Sequence, residues 1–182
     1  MRAKLLQAGE RVFHPMYGFG VIEGLVTRDQ VSETTECYTI RLSAGGVLTV
    51  PVSRAESLGL RPITNSLSSI LNCLRSPAQP LPDNDRQRFV ELQVRWRTPQ
   101  PTALAQAVRD LWSRGRTRSL TPADKRWLAN ACDTLSIEAA LVDSIDKERA
   151  HATIQQELDG LRSSPPSAPA SNHSSRKRNH NK

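Results

Sequence analysis

Hydrophobic side chains in this chain keep one period up to about residue 61 and a different one beyond residue 83, with a proline-rich break between. Up to Arg61 the pattern alternates and is rich in Val, Ile, Thr and Gly. Arg11-Val12-Phe13-His14 and Gly20-Val21-Ile22-Glu23-Gly24-Leu25-Val26 flank a turn at Pro15 and Gly18. Tyr38-Thr39-Ile40-Arg41-Leu42 and Val47-Leu48-Thr49-Val50 flank Ala44-Gly45-Gly46. Period-two runs bounded by glycine turns predict antiparallel strands joined as hairpins, and short strands with tight turns predict a small, strongly bent barrel. Ser66 is placed to cap a short helix whose Leu67, Ile70, Leu71 and Leu74 make one apolar stripe.

The break is Ser76-Pro77-Ala78-Gln79-Pro80-Leu81-Pro82, with three prolines in six residues. Proline lacks an N–H and fixes its own φ, so neither helix nor sheet propagates through it. A domain boundary is expected here. Beyond it the period is helical. Phe89, Leu92 and Trp96 make one stripe, stopped by Pro99, and Leu104, Val108, Leu111 and Trp112 make a second, ended near Gly115. Thr121-Pro122-Ala123-Asp124 carries a Thr cap, Pro at the first helical position and a carboxylate three residues after the cap. The helix it starts should bury Trp127, Leu128, Ala131 and Leu135. Asp146 should cap a last helix through Ala150, Ile154 and Leu158. The expected fold class is α+β: a small antiparallel β-barrel of the Tudor or SH3 type over 1–65, a short helix and Pro-rich linker over 66–82, and a helical bundle over 83–162. Residues 163–182 are Ser-, Pro- and Asn-rich, end on Arg176-Lys177-Arg178 and have little apolar surface to bury, so a disordered basic tail is expected.

Of 182 residues, 25 are Lys or Arg and 18 are Asp or Glu, a net charge of +7. The last twenty residues supply +4 of it, so the folded part is less basic than the whole. Residues 76–126 hold 10 basic and 5 acidic side chains, whereas 127–162 hold 3 and 7. One end of the helical domain can therefore face phosphates and the other cannot. No apolar run is long enough to span a bilayer, and the N-terminus meets charge before an apolar signal core develops, so neither a membrane nor a secreted protein is expected. Cys37, Cys73 and Cys132 are odd in number and widely spaced, which argues against a disulfide scaffold or a zinc site and fits a reducing cytoplasm.

No catalytic constellation emerges. Gly18-Phe19-Gly20 opens a strand rather than a helix and lacks a third glycine at Glu23, so it reads as a tight turn, not a phosphate loop. His14, His151, His173 and His180 are scattered without Cys or carboxylate partners at ligand spacing. Neither an enzyme nor a cofactor is expected. Trp96, Trp112 and Trp127 all lie on apolar stripes, where core packing is the default and stacking on bases the alternative.

The segments Gly9-Glu10-Arg11-Val12-Phe13-His14-Pro15, Gly18-Phe19-Gly20-Val21-Ile22-Glu23-Gly24 and Thr27-Arg28 resemble the N-terminal domain of the CarD/CdnL family of bacterial transcription regulators. So do Leu48-Thr49-Val50-Pro51-Val52, Ala55-Glu56 and Gly59-Leu60-Arg61. In the helical half, Ala107-Val108-Arg109-Asp110-Leu111-Trp112 and Ser119-Leu120-Thr121 with Lys125, Arg126 and Leu128 are similar to the same family. The resemblance spans roughly residues 9–158. It implies a Tudor-like domain that docks edge-to-edge on the RNA polymerase β subunit, followed by a helical domain that contacts upstream promoter DNA. Arg28, Leu48, Thr49 and Val50 fall at the implied polymerase surface and Lys125 and Arg126 at the implied DNA surface, to which Arg86 and Arg88 can add, the alternative for Arg88 being a pair with a carboxylate of the bundle. Two departures stand out. The strand ending Thr49-Val50-Pro51-Val52 is shorter than usual before its proline. Asp85 stands where family members carry a tryptophan wedge, and Val90 where a basic residue is usual.

The expected protein is thus a cytoplasmic, monomeric transcription regulator that tethers to polymerase and touches promoter DNA without sequence preference. The alternative keeps the fold but makes the helical domain an adaptor for a protein partner, and salt dependence separates the two.

Overall fold

The structure is a computed structural model that describes residues 5–30, 33–100 and 102–163. Five antiparallel strands form one sheet: β1 (Arg11–His14), β2 (Gly18–Gln30), β3 (Glu33–Leu42), β4 (Val47–Pro51) and β5 (Arg61–Pro62), ordered β4-β3-β2-β1-β5. The alternation seen in the sequence sets the faces. Val12, Ile22, Tyr38, Ile40 and Val50 point inward and, with Ala55 and Leu60, make the core of this domain. Gly18 starts β2 at a φ of +77°, a left-handed turn that a side chain would strain. A bulge between Ile22 and Gly24 shifts the register midway along β2. The small antiparallel sheet expected for this half is present, and it is not closed, since β4 and β5 lie at opposite edges and do not pair.

Five helices follow: α1 (Leu67–Arg75), α2 (Asp85–Arg97), α3 (Ala103–Thr117), α4 (Pro122–Asp143) and α5 (Lys147–Ser163). Their ends obey the local chemistry. The Ser66 hydroxyl accepts from the Ser69 amide, and Thr121 and Asp124 form a reciprocal capping box. Asp146 accepts from the amides of Glu148 and Arg149 at the start of α5. Ile70, Leu74, Leu92, Val108, Leu111, Leu135, Ile154 and Leu158 fill one core, each contributing roughly 1.5–3 kcal/mol by burial. α3 runs past the expected stop at Gly115 to Thr117.

The proline-rich segment is not the linker the sequence suggested. α1 packs into the helical core through Ile70 and Leu74, and Leu81 is buried there too. The strap over 76–82 is held within the helical domain. Its Gln79 amide donates to Asp110 at 2.8 Å, its Ser76 hydroxyl accepts from Arg109, and its Pro82 carbonyl accepts from Arg88. Prolines stop the helix here, and residues 77–80 stay exposed, yet the strap is tied down because side chains of α2 and α3 bind its backbone and Leu81 is buried. The domains therefore join between β5 and α1. The basic tail expected beyond residue 163 lies outside the described residues.

The two domains meet over β1 and β5. Val12 faces the core of the sheet domain, while Phe13, next along β1, packs edge-on to Trp96 of α2 at 6.2 Å between ring centroids. Trp96 is half-buried at this junction rather than deep in the helical core. Its ring meets Trp127 edge-on at 5.8 Å, and its Nε1 donates to the Pro15 carbonyl at 3.2 Å. Gly59 has a φ of +79°, and a Cβ there would lie 2.5 Å from the Arg97 carbonyl oxygen and 2.7 Å from Pro15. Only glycine allows the loop before β5 to touch the end of α2. Arg11 donates to the Leu141 carbonyl, and the Leu67 amide donates to Asp143 at 2.6 Å.

Candidate functional site

Two surfaces carry the residues singled out in the sequence, one on each domain. On the sheet, β4 is an edge strand with no neighbour on its outer side, so it presents unpaired N–H and C=O groups. Arg28 is exposed on β2, and its guanidinium reaches across β3 to donate to the Thr49 hydroxyl at 3.3 Å. Arg28 and Thr49 thus share the outer face. Leu48 and Val50 alternate to the inner face, and Val50 is 2% exposed in the core. These two offer a partner their backbone, not their side chains. Val47 at the start of β4, and Leu25 and Val26 on β2, add exposed apolar surface nearby along the chain.

On the helical domain, the first turns of α2 and α4 frame a groove of about 490 Å³ lined by Asp85, Arg86, Phe89, Pro122, Asp124 and Arg126. Arg86 and Arg126 are exposed and come together here. Lys125 is also exposed but turns to the other side of the α4 start, into a smaller pocket with Arg116, Ser119 and Leu120.

Arg88 is the exception among the expected DNA contacts. Its side chain is 1% exposed, and its donors are spent inside the protein. Nε and Nη2 grip Asp124 at 3.1 and 2.8 Å, Nη2 also reaches Asp85 at 2.7 Å, and Nη1 donates to the carbonyls of Pro82 and Asp83. With all five N–H groups engaged, Arg88 has none for a phosphate. Asp124 is the matching half. Burial alone would raise its pKa, but hydrogen bonds from Arg88 and Thr121 outweigh that and hold the carboxyl below the usual range. Asp85 is exposed yet bound to Arg88, so it stands at the groove mouth as a partnered charge.

Phe89 was expected in the core and instead is 49% exposed in the groove. The buried stripe of α2 runs through Arg88 and Leu92 to Trp96, four residues apart each time, so a charged residue opens it. Hydrophobicity therefore assigns the stripe to Phe89, one residue out of phase. Val90 and Val94 are exposed as well, at 55% and 59%.

The charge balance sharpens once pairing is known. In the helical domain Arg75 pairs with Glu157, Arg88 with Asp124, Arg95 and Arg109 with Asp110, and Arg114 and Arg118 with Asp83. Arg86, Lys125 and Arg126 have no carboxylate partner among the described residues. A positive field therefore survives where the N-terminal end of α4 adds its own partial charge.

Among the described residues no cluster of His, Cys, Asp and Glu is arranged to hold a metal, and no helix is long and apolar enough to cross a membrane. Two family models match the chain: the CarD-like/TRCF RID domain over residues 6–64, and the CarD C-terminal domain over residues 69–155. The chain is also similar to the Bacillus subtilis (strain 168) protein named "Putative transcription factor YdeB". They are 25% identical over 148 residues, which is 80% of this chain and 97% of that protein.

Proposed function

Because the chain belongs to the CarD/CdnL family of transcription regulators, we propose that it is a cytoplasmic tether between RNA polymerase and promoter DNA. The open edge of β4, with Arg28 and Thr49 beside it, docks on the polymerase β subunit by adding to a partner sheet. Arg86, Lys125 and Arg126 hold upstream promoter DNA through its phosphates, without sequence preference, and Phe89 gives the groove an apolar wall beside them. With Asp85 bound to Arg88 where relatives carry a tryptophan, the protein holds DNA rather than propping strands apart. One observation carries the DNA reading: six arginines of the helical domain are bound by carboxylates, while the three cations around the α4 start are not.

The test is binding of the full chain to duplex DNA across a salt series, and to polymerase at low salt. Replacing Arg86 or Arg126 by Ala should weaken binding about equally on unrelated sequences and reduce the log–log salt slope by about one each. An unchanged slope sinks the DNA role. Arg28→Glu should abolish co-elution with polymerase while leaving DNA binding intact, and co-elution unaffected by it removes the β4 edge from the reading. The exposed run Phe89, Val90 and Val94 on α2 favours the second reading, a protein-binding adaptor, for which affinity would barely respond to salt.

A further inference from the structure

Arg61 belongs to a motif the proposed surfaces do not use, and it is one of the most buried cations in the molecule. It sits on β5, paired in register with Phe13 of β1, at the seam between the domains. Its Nη1 and Nη2 reach both carboxylate oxygens of Glu138 on α4 at 2.6 and 2.9 Å. The two side chains are 3% and 0% exposed. The guanidinium also lies 5.0 Å over the ring of Phe13, which packs in turn against Phe19 and against Trp96 of α2.

We infer that Arg61 and Glu138 are positioning residues that set one fixed angle between the sheet and the helical domain, an inference that rests on the two-surface reading above for its consequence. A forked donor on a carboxylate fixes direction as well as distance, since both N–H···O bonds are satisfied only in one relative orientation. Apolar contact alone would not do this, because hydrophobic packing is non-directional and tolerates sliding. The other seam contacts act at different points, Trp96 on Pro15 and Arg11 on Leu141, so the forked pair is the contact that fixes rotation. Neither residue touches either proposed surface. α4 carries Glu138 toward its C-terminal end and Arg126 near its start, so the angle fixed at the seam is transmitted along one rigid helix to the groove. A polymerase-docked molecule then offers its cations to DNA at one place upstream rather than anywhere within reach.

The test separates folding, orientation and function. Spin labels are placed at Ala44→Cys in the β3–β4 turn and Ala129→Cys on α4, in a Cys73→Ser background. Two seam variants are compared: Glu138→Gln, and the volume-keeping double change Arg61→Met with Glu138→Leu, which leaves no buried charge unpaired and so protects the fold. The unaltered seam should give one narrow distance distribution, and both variants should broaden it. Binding to polymerase alone and to duplex alone should stay within about twofold of the parent, while affinity for the polymerase–promoter complex should drop about tenfold or more as the geometric match is lost. Its footprint on DNA should spread. An unbroadened distribution in the double variant overturns the inference, as does broadening with no loss on the polymerase–promoter complex. If the parent binds neither polymerase nor duplex, the two-surface reading fails instead, and the distance distributions alone decide whether the pair fixes the angle.

Discussion

Away from the seam, where Arg61 is buried, the sheet domain keeps its charges outside, whereas the helical domain builds its interior partly from them. In the sheet, Arg28 and Arg41 lie exposed over polar neighbours, and the inner face is Val12, Ile22, Tyr38, Ile40 and Val50. In the helical domain, Asp110 is fully buried between Arg95 and Arg109, and Arg88 is closed over Asp124. The difference teaches how to read charge. In the sheet an arginine away from the seam lies at the surface, Arg28 over Thr49 and Arg41 on Glu23. In the helices most are already taken, and the surface left for DNA is a remainder after internal pairing.

The sharpest way to break this comparison is Arg88→Met. It strands Asp124 as a buried carboxylate without its cation, and should cost about 3–5 kcal/mol in urea unfolding. A loss under 1 kcal/mol would mean the pair is not part of the interior. Acid gives a second, somewhat smaller contrast. Asp124 and Glu157 have folded pKa values held below the ordinary carboxylate range, Asp124 against burial by Arg88 and Thr121, Glu157 by its hydrogen bond to Arg75. The unfolded chain then takes up protons at higher pH than the folded one. The stability these groups add is complete above the ordinary value of about 4 and lost as pH falls through the folded values. Helical ellipticity should therefore melt at lower temperature below pH ~4, and Arg88→Met should flatten the part of that slope due to Asp124. A slope unchanged by the substitution would contradict this. Thr121→Ala removes the capping box of α4 and should cost about 1 kcal/mol, measured by thermal melting. At the small end, Arg28→Met on the sheet should shift stability by no more than about 0.5 kcal/mol. A large loss there would erase the distinction between the domains.

Where the sequence was legible, one physical signal dominated. Alternation and glycine turns located β1 to β4, including the hairpin at Ala44-Gly45-Gly46. The caps at Ser66, Thr121 and Asp146 were readable because each is a local bargain between a side chain and the amides just after it. The rest depended on contacts distant in the chain. The strap over 76–82 looked like a linker because its backbone partners, Asp110 and Arg88, lie on α3 and α2. Phe89 was misplaced by one residue because a cation, not an apolar side chain, opens the buried stripe. Lys125 and Arg126 were found from the family pattern and Arg86 and Arg88 as possible additions to it, but which of the four are taken by carboxylates was decided by the packed helices. Glu138, 77 residues from Arg61 in the chain, gave no sign in the sequence of its role.

The strap has a consequence for taking the molecule apart. A piece ending at Arg75, which a reader of the prolines would cut, carries α1 away from its companions and leaves Ile70 and Leu74 as sticky surface. A complementary piece starting at Asn84 loses Leu81 and the Pro82 and Asp83 carbonyls that occupy Arg88. Neither half would behave as the whole does. The better seam for dissection runs between Pro62 and Ser66, although separating the halves there still parts Arg61 from Glu138.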